Sequence, residues 1–147
     1  MSEGSFVNPD EGASLATPFG DRIRWVAGAR DGEPAYSLHE RSAPPGAASF
    51  PHTHGRVSEA FYVLSGEFEF QLGERRLDGG AGTFVHAPRG VAHAWRVKGA
   101  EPARALVVFA PGVAPGFFEE LDAETRAPGG PSRERLLAIN EKYGLGP

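Results

Sequence analysis

Four side chains of the kind that bind metal ions lie within a short part of this sequence. His52 and His54 are two residues apart, Glu59 follows them, and His93 lies further along the chain. Alternate residues of a β-strand face the same side, so His52 and His54 can direct both imidazoles at one ion. Three neutral imidazoles and one carboxylate suit a divalent first-row metal. The pattern predicts one such ion per chain, and manganese, iron, nickel, cobalt, copper and zinc all fit it.

Glu59 can join the two histidines only if the chain turns before it. On an unbroken strand its odd offset from His54 would direct it to the opposite face. Gly55 permits a tight turn, so residues 55–58 are expected to bring Glu59 back on a neighbouring strand. His93 follows further turn residues and begins another strand. A single His-x-His pair is more often surface or core than ligand, so the metal interpretation depends on all four residues meeting.

The overall composition excludes several classes of protein. There is no cysteine, which rules out disulfides, thiolate ligands and thiol nucleophiles. The 15 basic and 19 acidic side chains give a net charge of -4, so no basic surplus is present for binding nucleic acid. Apolar stretches such as residues 105–110 are far shorter than the roughly 18 residues that cross a bilayer, and no signal peptide is recognisable. We therefore expect a cytoplasmic protein whose partner is a small-molecule substrate, with neither nucleic acid nor membrane as a partner.

Short apolar runs separated by turn residues surround the four ligands. The 147 residues, of which 40% are hydrophobic, suit one folded domain. The 20 glycines and 13 prolines fall between short runs, as in an all-β sandwich or barrel. Eight strands are predicted, over residues 22–27, 35–41, 49–54, 59–64, 67–72, 83–87, 92–97 and 104–110. A hairpin is expected at Ser65-Gly66.

The chain divides into three predicted segments. Residues 1–21 form an N-terminal arm, residues 22–112 a β-barrel domain and residues 113–147 a helical tail. Apolar spacing in residues 117–121 and 133–143 is helical, with Ser132 as an N-cap and Gly144 at the end. The tail is expected to pack on the barrel or on a partner chain.

Two motifs in the central part of the sequence resemble those of the cupin superfamily. The first consists of Gly46, His52, Thr53, His54, Glu59 and Gly66, and the second of Gly82, Pro88, Gly90 and His93, all at the family's spacing. The second motif commonly ends in an asparagine, and this chain has Val97 there. The resemblance implies a jelly-roll β-barrel that holds its metal inside through His52, His54, Glu59 and His93.

A narrower similarity concerns residues 59–67, residues 84–93 and parts of the tail, which look like small single-domain cupins grouped with quercetin dioxygenase. It implies a dioxygenase-like enzyme for a small aromatic or enolic, flavonol-like substrate. Glu59 would then be catalytic, both holding the metal and taking the proton of a substrate hydroxyl. Two alternatives remain open: a non-oxidative isomerase, epimerase or lyase, and a non-catalytic, metal-stabilised barrel that binds a small ligand.

Three aromatic residues share the inward-facing parity of the ligands. Phe50 matches His52, Phe61 matches Glu59 and Trp95 matches His93. These rings either pack in the core or line a substrate pocket.

Other side chains near the motifs have simpler expected roles. His86 is expected at the surface or beside a ligand, and His39 in a structural position, while Arg56 and Arg89 are expected in solvent. Tyr62 and Leu64 have a parity opposite to that of Glu59. Such apolar residues on an outer face predict a homodimer.

Overall fold

The computed structural model describes residues 4–28 and 35–146 and consists of two facing β-sheets with two helices at one end. In these ranges the elements are β1 (Ser14–Ala16), β2 (Arg22–Ala27), β3 (Ser37–Ala43), β4 (Ser58–Ser65), β5 (Phe68–Leu72), β6 (Arg75–Gly79), β7 (Phe84–Ala87), β8 (His93–Val97), β9 (Ala103–Ala110), α1 (Gly116–Arg126) and α2 (Arg133–Lys142). Strand β1 lies within the predicted N-terminal arm and pairs with β2 in the antiparallel direction.

The two sheets enclose one apolar core. The larger sheet has the strand order β1-β2-β3-β9-β4-β7, and the smaller has the order β6-β5-β8. Strict alternation in β5 buries Phe68 and Phe70 against Phe61 and Val107 from the larger sheet. The fold is a jelly-roll β-sandwich with a C-terminal helical part, as the sequence predicts.

The predicted strand over residues 49–54 is wrong as a continuous strand. Within it only one isolated bridge forms, between His52 and His93, and a second, between Ala48 and Arg96, lies just before it. Pro51 has no amide hydrogen to donate to a ladder. The bridge nevertheless holds His52 directly beside His93, with backbone N···O distances of 3.0 and 2.9 Å.

Two further differences concern the smaller sheet. β6 was not predicted, because its residues are mostly exposed and Asp78-Gly79 is typical of a turn. Ser65-Gly66 forms no hairpin; β4 and β5 belong to different sheets, and the chain crosses between them here. A Cβ atom at Gly66 would lie 2.5 Å from the Pro102 carbonyl oxygen, so this crossing requires glycine.

The helical part packs against one end of the sandwich. Phe117, Phe118 and Leu121 of α1 are buried in a second apolar cluster with Phe109 of β9 and Leu145 beyond α2. The predicted N-cap of α2 is confirmed, since the Ser132 hydroxyl accepts a hydrogen bond from the Arg135 amide at 3.2 Å. Neither helix is long and apolar enough to span a membrane, a statement that covers residues 4–28 and 35–146.

Candidate metal centre

The four predicted ligands come from both sheets and meet between them. His93 begins β8, and the backbone bridge places His52 beside it. After His54 the chain turns, and Glu59 faces inward as the second residue of β4. The ligand atoms of the four residues all lie within 4.8 Å of one another. The turn over residues 55–58 therefore does what the sequence predicts of it.

Backbone carbonyls set the same orientation on all three imidazoles. Each Nδ1 lies 2.9 Å from a carbonyl oxygen: His52 from Phe50, His54 from Leu145 and His93 from Val91. A carbonyl can only accept, so each neutral ring carries its hydrogen on Nδ1 and directs a lone pair from Nε2. Histidines that bind metals are usually oriented in this way.

These three Nε2 atoms surround one carboxylate oxygen. Oε2 of Glu59 lies 3.9 Å from His52, 3.1 Å from His54 and 2.8 Å from His93. Glu59 is only 3% exposed. Four lone pairs that converge in a buried space repel one another unless a proton or cation lies between them. The set of three nitrogens and one oxygen fits a divalent transition metal.

The pKa values show how the site distributes charge. Burial alone would raise the pKa of Glu59, but its contacts with the three imidazoles hold it well below the usual value. Burial by itself would lower the pKa of His93. The hydrogen bond to Glu59 and the charge of that carboxylate outweigh burial, so the pKa of His93 is raised. The carboxylate therefore stays ionised and favours a positive charge at the centre of the cluster.

An aromatic cavity adjoins the ligands. His52, His54 and Glu59 form part of its wall, and α1, α2 and the segment after β1 enclose it. The cavity volume is about 60 Å³, against the roughly 10–15 Å³ that one water needs. Six aromatic rings line it: Phe19, Phe50, Trp95, Phe109, Phe117 and Phe118. Space for a small apolar ligand thus lies directly beside the metal ligands.

Two of the three predicted pocket residues lie at this cavity. Phe50, half exposed, and Trp95, buried, both contribute to its wall. Phe61 packs instead in the sandwich core against Phe70, with ring centroids 5.3 Å apart. Phe61 therefore belongs to the core and not to the pocket. Its position on β4 lies deeper between the sheets, among other buried residues.

The remaining histidines and turn arginines are not among the converging ligands. His86 on β7 is exposed, as are Arg56 and Arg89. His39 is fully buried, with its ring 4.6 Å from that of Phe118 and 5.8 Å from that of Phe109.

Sequence reasoning missed Arg41 and Asp21. Arg41 faces inward from β3, is 5% exposed and lines the cavity. Its Nε donates to Oδ2 of buried Asp21 at 2.6 Å. The alternation of His39, Arg41 and Ala43 could have indicated that Arg41 faces inward. Leu38, an apolar residue on the opposite face, made the inward face of this strand ambiguous.

The comparisons with known proteins agree with this geometry. Residues 39–109 match the family model described as a cupin domain. The sequence matches no curated protein. KdgF from a Halomonas species is 25% identical, with a TM-score of 0.65 over 74% of this chain and 94% of its own.

Two further solved structures share the fold at lower identity. An RmlC-like cupin from Shewanella frigidimarina is 19% identical, with a TM-score of 0.63 over 76% of this chain and 92% of its own. The polyketide cyclase RemF from Streptomyces resistomycificus is 23% identical, with a TM-score of 0.62 over 73% and 79%. The domain match over residues 39–109 and the shared fold together support the cupin superfamily for this chain.

Proposed function

We propose that the protein is a mononuclear metal-dependent cupin enzyme that acts on a small aromatic or enolic substrate. The observation that carries this proposal is the convergence of three Nε2 lone pairs and the Glu59 carboxylate at the wall of an aromatic cavity. Structural metal sites are usually closed by protein ligands, whereas catalytic sites keep an open position. The adjoining cavity favours a metal with positions left for substrate.

The chain's own residues have distinct roles in this proposal. His52, His54, Glu59 and His93 would hold the ion, which when bound supplies Lewis-acid or oxygen-activating chemistry. The Glu59 carboxylate, ionised and buried, can accept the proton of a substrate hydroxyl. Phe50 and Trp95 hold the flat body of the substrate and exclude water from the proton transfer.

We favour a dioxygenase-like reaction on a flavonol-like substrate. Its support is the similarity of residues 59–67 and 84–93 to the quercetin dioxygenase group, together with the aromatic lining of the cavity. Fold alone does not select the reaction, and one solved structure with this fold is a polyketide cyclase.

A non-oxidative isomerase or lyase is the second proposal, and one observation favours it. The guanidinium of Arg41 lines the cavity close to the ligands. A fixed positive charge stabilises an enolate that forms when Glu59 removes a proton, without any oxidant.

Oxygen uptake separates the proposals. Protein reconstituted with each divalent metal in turn is mixed with a panel of flavonols and β-diketones, in air and under nitrogen. A dioxygenase consumes one oxygen per substrate lost and is inactive under nitrogen. Equal substrate loss in both atmospheres indicates the non-oxidative reaction. Binding without turnover for every metal and substrate would contradict both enzymatic proposals, and His93→Ala serves as the variant without the metal centre.

A further inference from the structure

Arg41 is a buried cation with an unused donor beside the metal ligands. It is 5% exposed and contributes to the same cavity wall as His52 and Glu59. Its Nη1 is buried and has no hydrogen-bond partner within residues 4–28 and 35–146. A charged donor that is removed from water without an acceptor is unfavourable, and a ligand bound in the cavity that Arg41 lines would supply an acceptor.

The guanidinium is held in place by contacts that leave this donor available. Nε donates to Oδ2 of Asp21, and the central carbon of the guanidinium lies 4.6 Å from the ring centre of Trp95. Asp21 is itself 2% exposed, and its other oxygen accepts a hydrogen bond from the Thr17 hydroxyl. This arrangement orients Arg41 before any ligand binds, which reduces the entropy lost on binding.

We propose that Arg41 binds a carboxylate of the substrate while the substrate's reacting oxygen faces Glu59. This inference rests on the proposed function, and it narrows the substrate class to small aromatic or enolic carboxylic acids. A planar carboxylate matches the guanidinium fork. A carboxylate carried on an aromatic or enolic body also brings that body against the aromatic walls of the cavity, which a free phosphate dianion does not do. Arg56 and Arg89 are both exposed, and among the arginines within residues 4–28 and 35–146 it is Arg41 that lines the cavity.

Benzoate and its neutral counterpart benzamide test the assignment, because they share a ring and differ in charge. Neither has a second oxygen-bearing group that could chelate the metal. Calorimetry on the metal-loaded wild-type protein should show benzoate binding at least about tenfold more tightly than benzamide, as expected of a charge-assisted hydrogen bond. The double variant Asp21→Asn/Arg41→Gln keeps the net charge and a polar pair at this position. It should reduce the preference to within about threefold while metal content stays the same.

A control and a second variant make the result unambiguous. Arg89→Gln removes an exposed positive charge and should leave the benzoate preference unchanged. Arg41→Lys keeps the charge beside Asp21 but removes Nη1, so it should weaken benzoate binding by about fivefold even if the double variant does not fold.

Several outcomes would overturn the assignment. These are the absence of a benzoate preference in the wild-type protein, an unchanged preference in the folded double variant, and unchanged benzoate affinity in Arg41→Lys. Inorganic phosphate that binds more tightly than benzoate would overturn the choice of carboxylate. A wild-type protein that prefers benzoate through Arg41 but turns over no substrate would contradict the proposed function and support the anion site.

Discussion

Glu59 lies where a cation can be held and where a substrate proton can be received. In Glu59→Gln, the three histidines should keep much of the metal, while turnover falls by about 100-fold or more, the usual effect of removing a general base. Metal occupancy, melting temperature and turnover are measured in this variant at saturating metal. His86→Asn changes an exposed residue on the neighbouring strand β7 and should match the wild type.

The same variant distinguishes catalysis from a purely structural metal. In a non-catalytic barrel, Glu59→Gln would lower metal affinity and melting temperature together, and ligand binding at excess metal would persist. Full activity in metal-loaded Glu59→Gln would exclude the proton-transfer role and leave Glu59 as a ligand alone.

His39 gives the folded protein a pH dependence of its own. Burial, followed by the charge of Arg41, lowers its pKa to about 3. A histidine in the unfolded chain binds a proton near pH 6.5. Between about pH 6.5 and 3 the unfolded state therefore carries a proton that the folded state lacks. The free energy of unfolding should decrease as the pH falls through this window, by about 1.4 kcal/mol per pH unit.

Denaturant unfolding of His39→Leu, with metal removed by a chelator, measures this contribution. From pH 6.5 to pH 5 the wild type should lose about 2 kcal/mol more stability than His39→Leu. His86→Asn, which lacks an exposed histidine, should follow the wild type. An identical pH dependence in wild type and His39→Leu would show that His39 is not held neutral by the fold.

At the residue scale, motif spacing predicted which four side chains meet. Residues that bind one ion must keep fixed positions relative to the strands and turns, so their spacing in the sequence is recognisable. Strand parity left core and pocket positions open for Phe50, Phe61 and Trp95, and the structure places Phe50 and Trp95 at the cavity and Phe61 in the core. The parity of a residue in a strand tells which face of the sheet its side chain is on, but not how far along the strand it lies from the cavity. Parity alone therefore could not separate core residues from pocket residues. Arg41 was missed because a buried arginine depends on a distant partner, Asp21, that no local pattern reveals.

At the scale of elements, the segment after α2 connects the helical part to the metal centre. The Leu145 carbonyl orients His54, and the Leu145 side chain is 1% exposed in the second apolar cluster. Leu145→Ala should lower the free energy of unfolding by about 2–4 kcal/mol. Loosening this carbonyl should also weaken metal affinity by about tenfold.

Leu137→Ala provides a matched control for Leu145→Ala. Leu137 belongs to the adjoining helix α2 but is 51% exposed, so both quantities should change little. Titration of each purified variant with zinc gives the affinity, and chemical unfolding gives the stability. Equal metal affinity in the two variants would contradict a link between this segment and His54.

Strands with alternating apolar residues were the most predictable elements. In β5, β8 and β9 the sequence pattern and the observed burial coincide, because one face of each strand meets the core. β6 has no such face for most of its length, and its pairing depends on β5 rather than on its own sequence. Residues 49–54 have strand-like composition, yet only one isolated bridge forms among them, at His52.

At the scale of the whole molecule, the outer face of the larger sheet carries exposed aromatic side chains. Tyr62 and Phe84 are cross-strand neighbours and are 46% and 65% exposed. We propose that a second copy of the chain covers this face in a homodimer. Light scattering at micromolar concentration should give twice the chain mass of 15.6 kDa.

Substitution on this face tests the dimer surface. Tyr62→Glu should give a species of 15.6 kDa. Leu77→Glu alters a residue that is 40% exposed on the other sheet and should leave the dimer intact. A wild-type mass near 15.6 kDa would exclude the homodimer.

The metal content of the purified protein tests the central claim most directly, because the proposed chemistry depends on the cluster of His52, His54, Glu59 and His93. Elemental analysis of wild-type protein, after incubation with divalent metals and removal of the excess, should find about one ion per chain. His52→Ala and His93→Ala should lose it, and His86→Ala should retain it. A wild-type protein that binds no metal, or a His93→Ala variant with full occupancy, would contradict the metal centre described above.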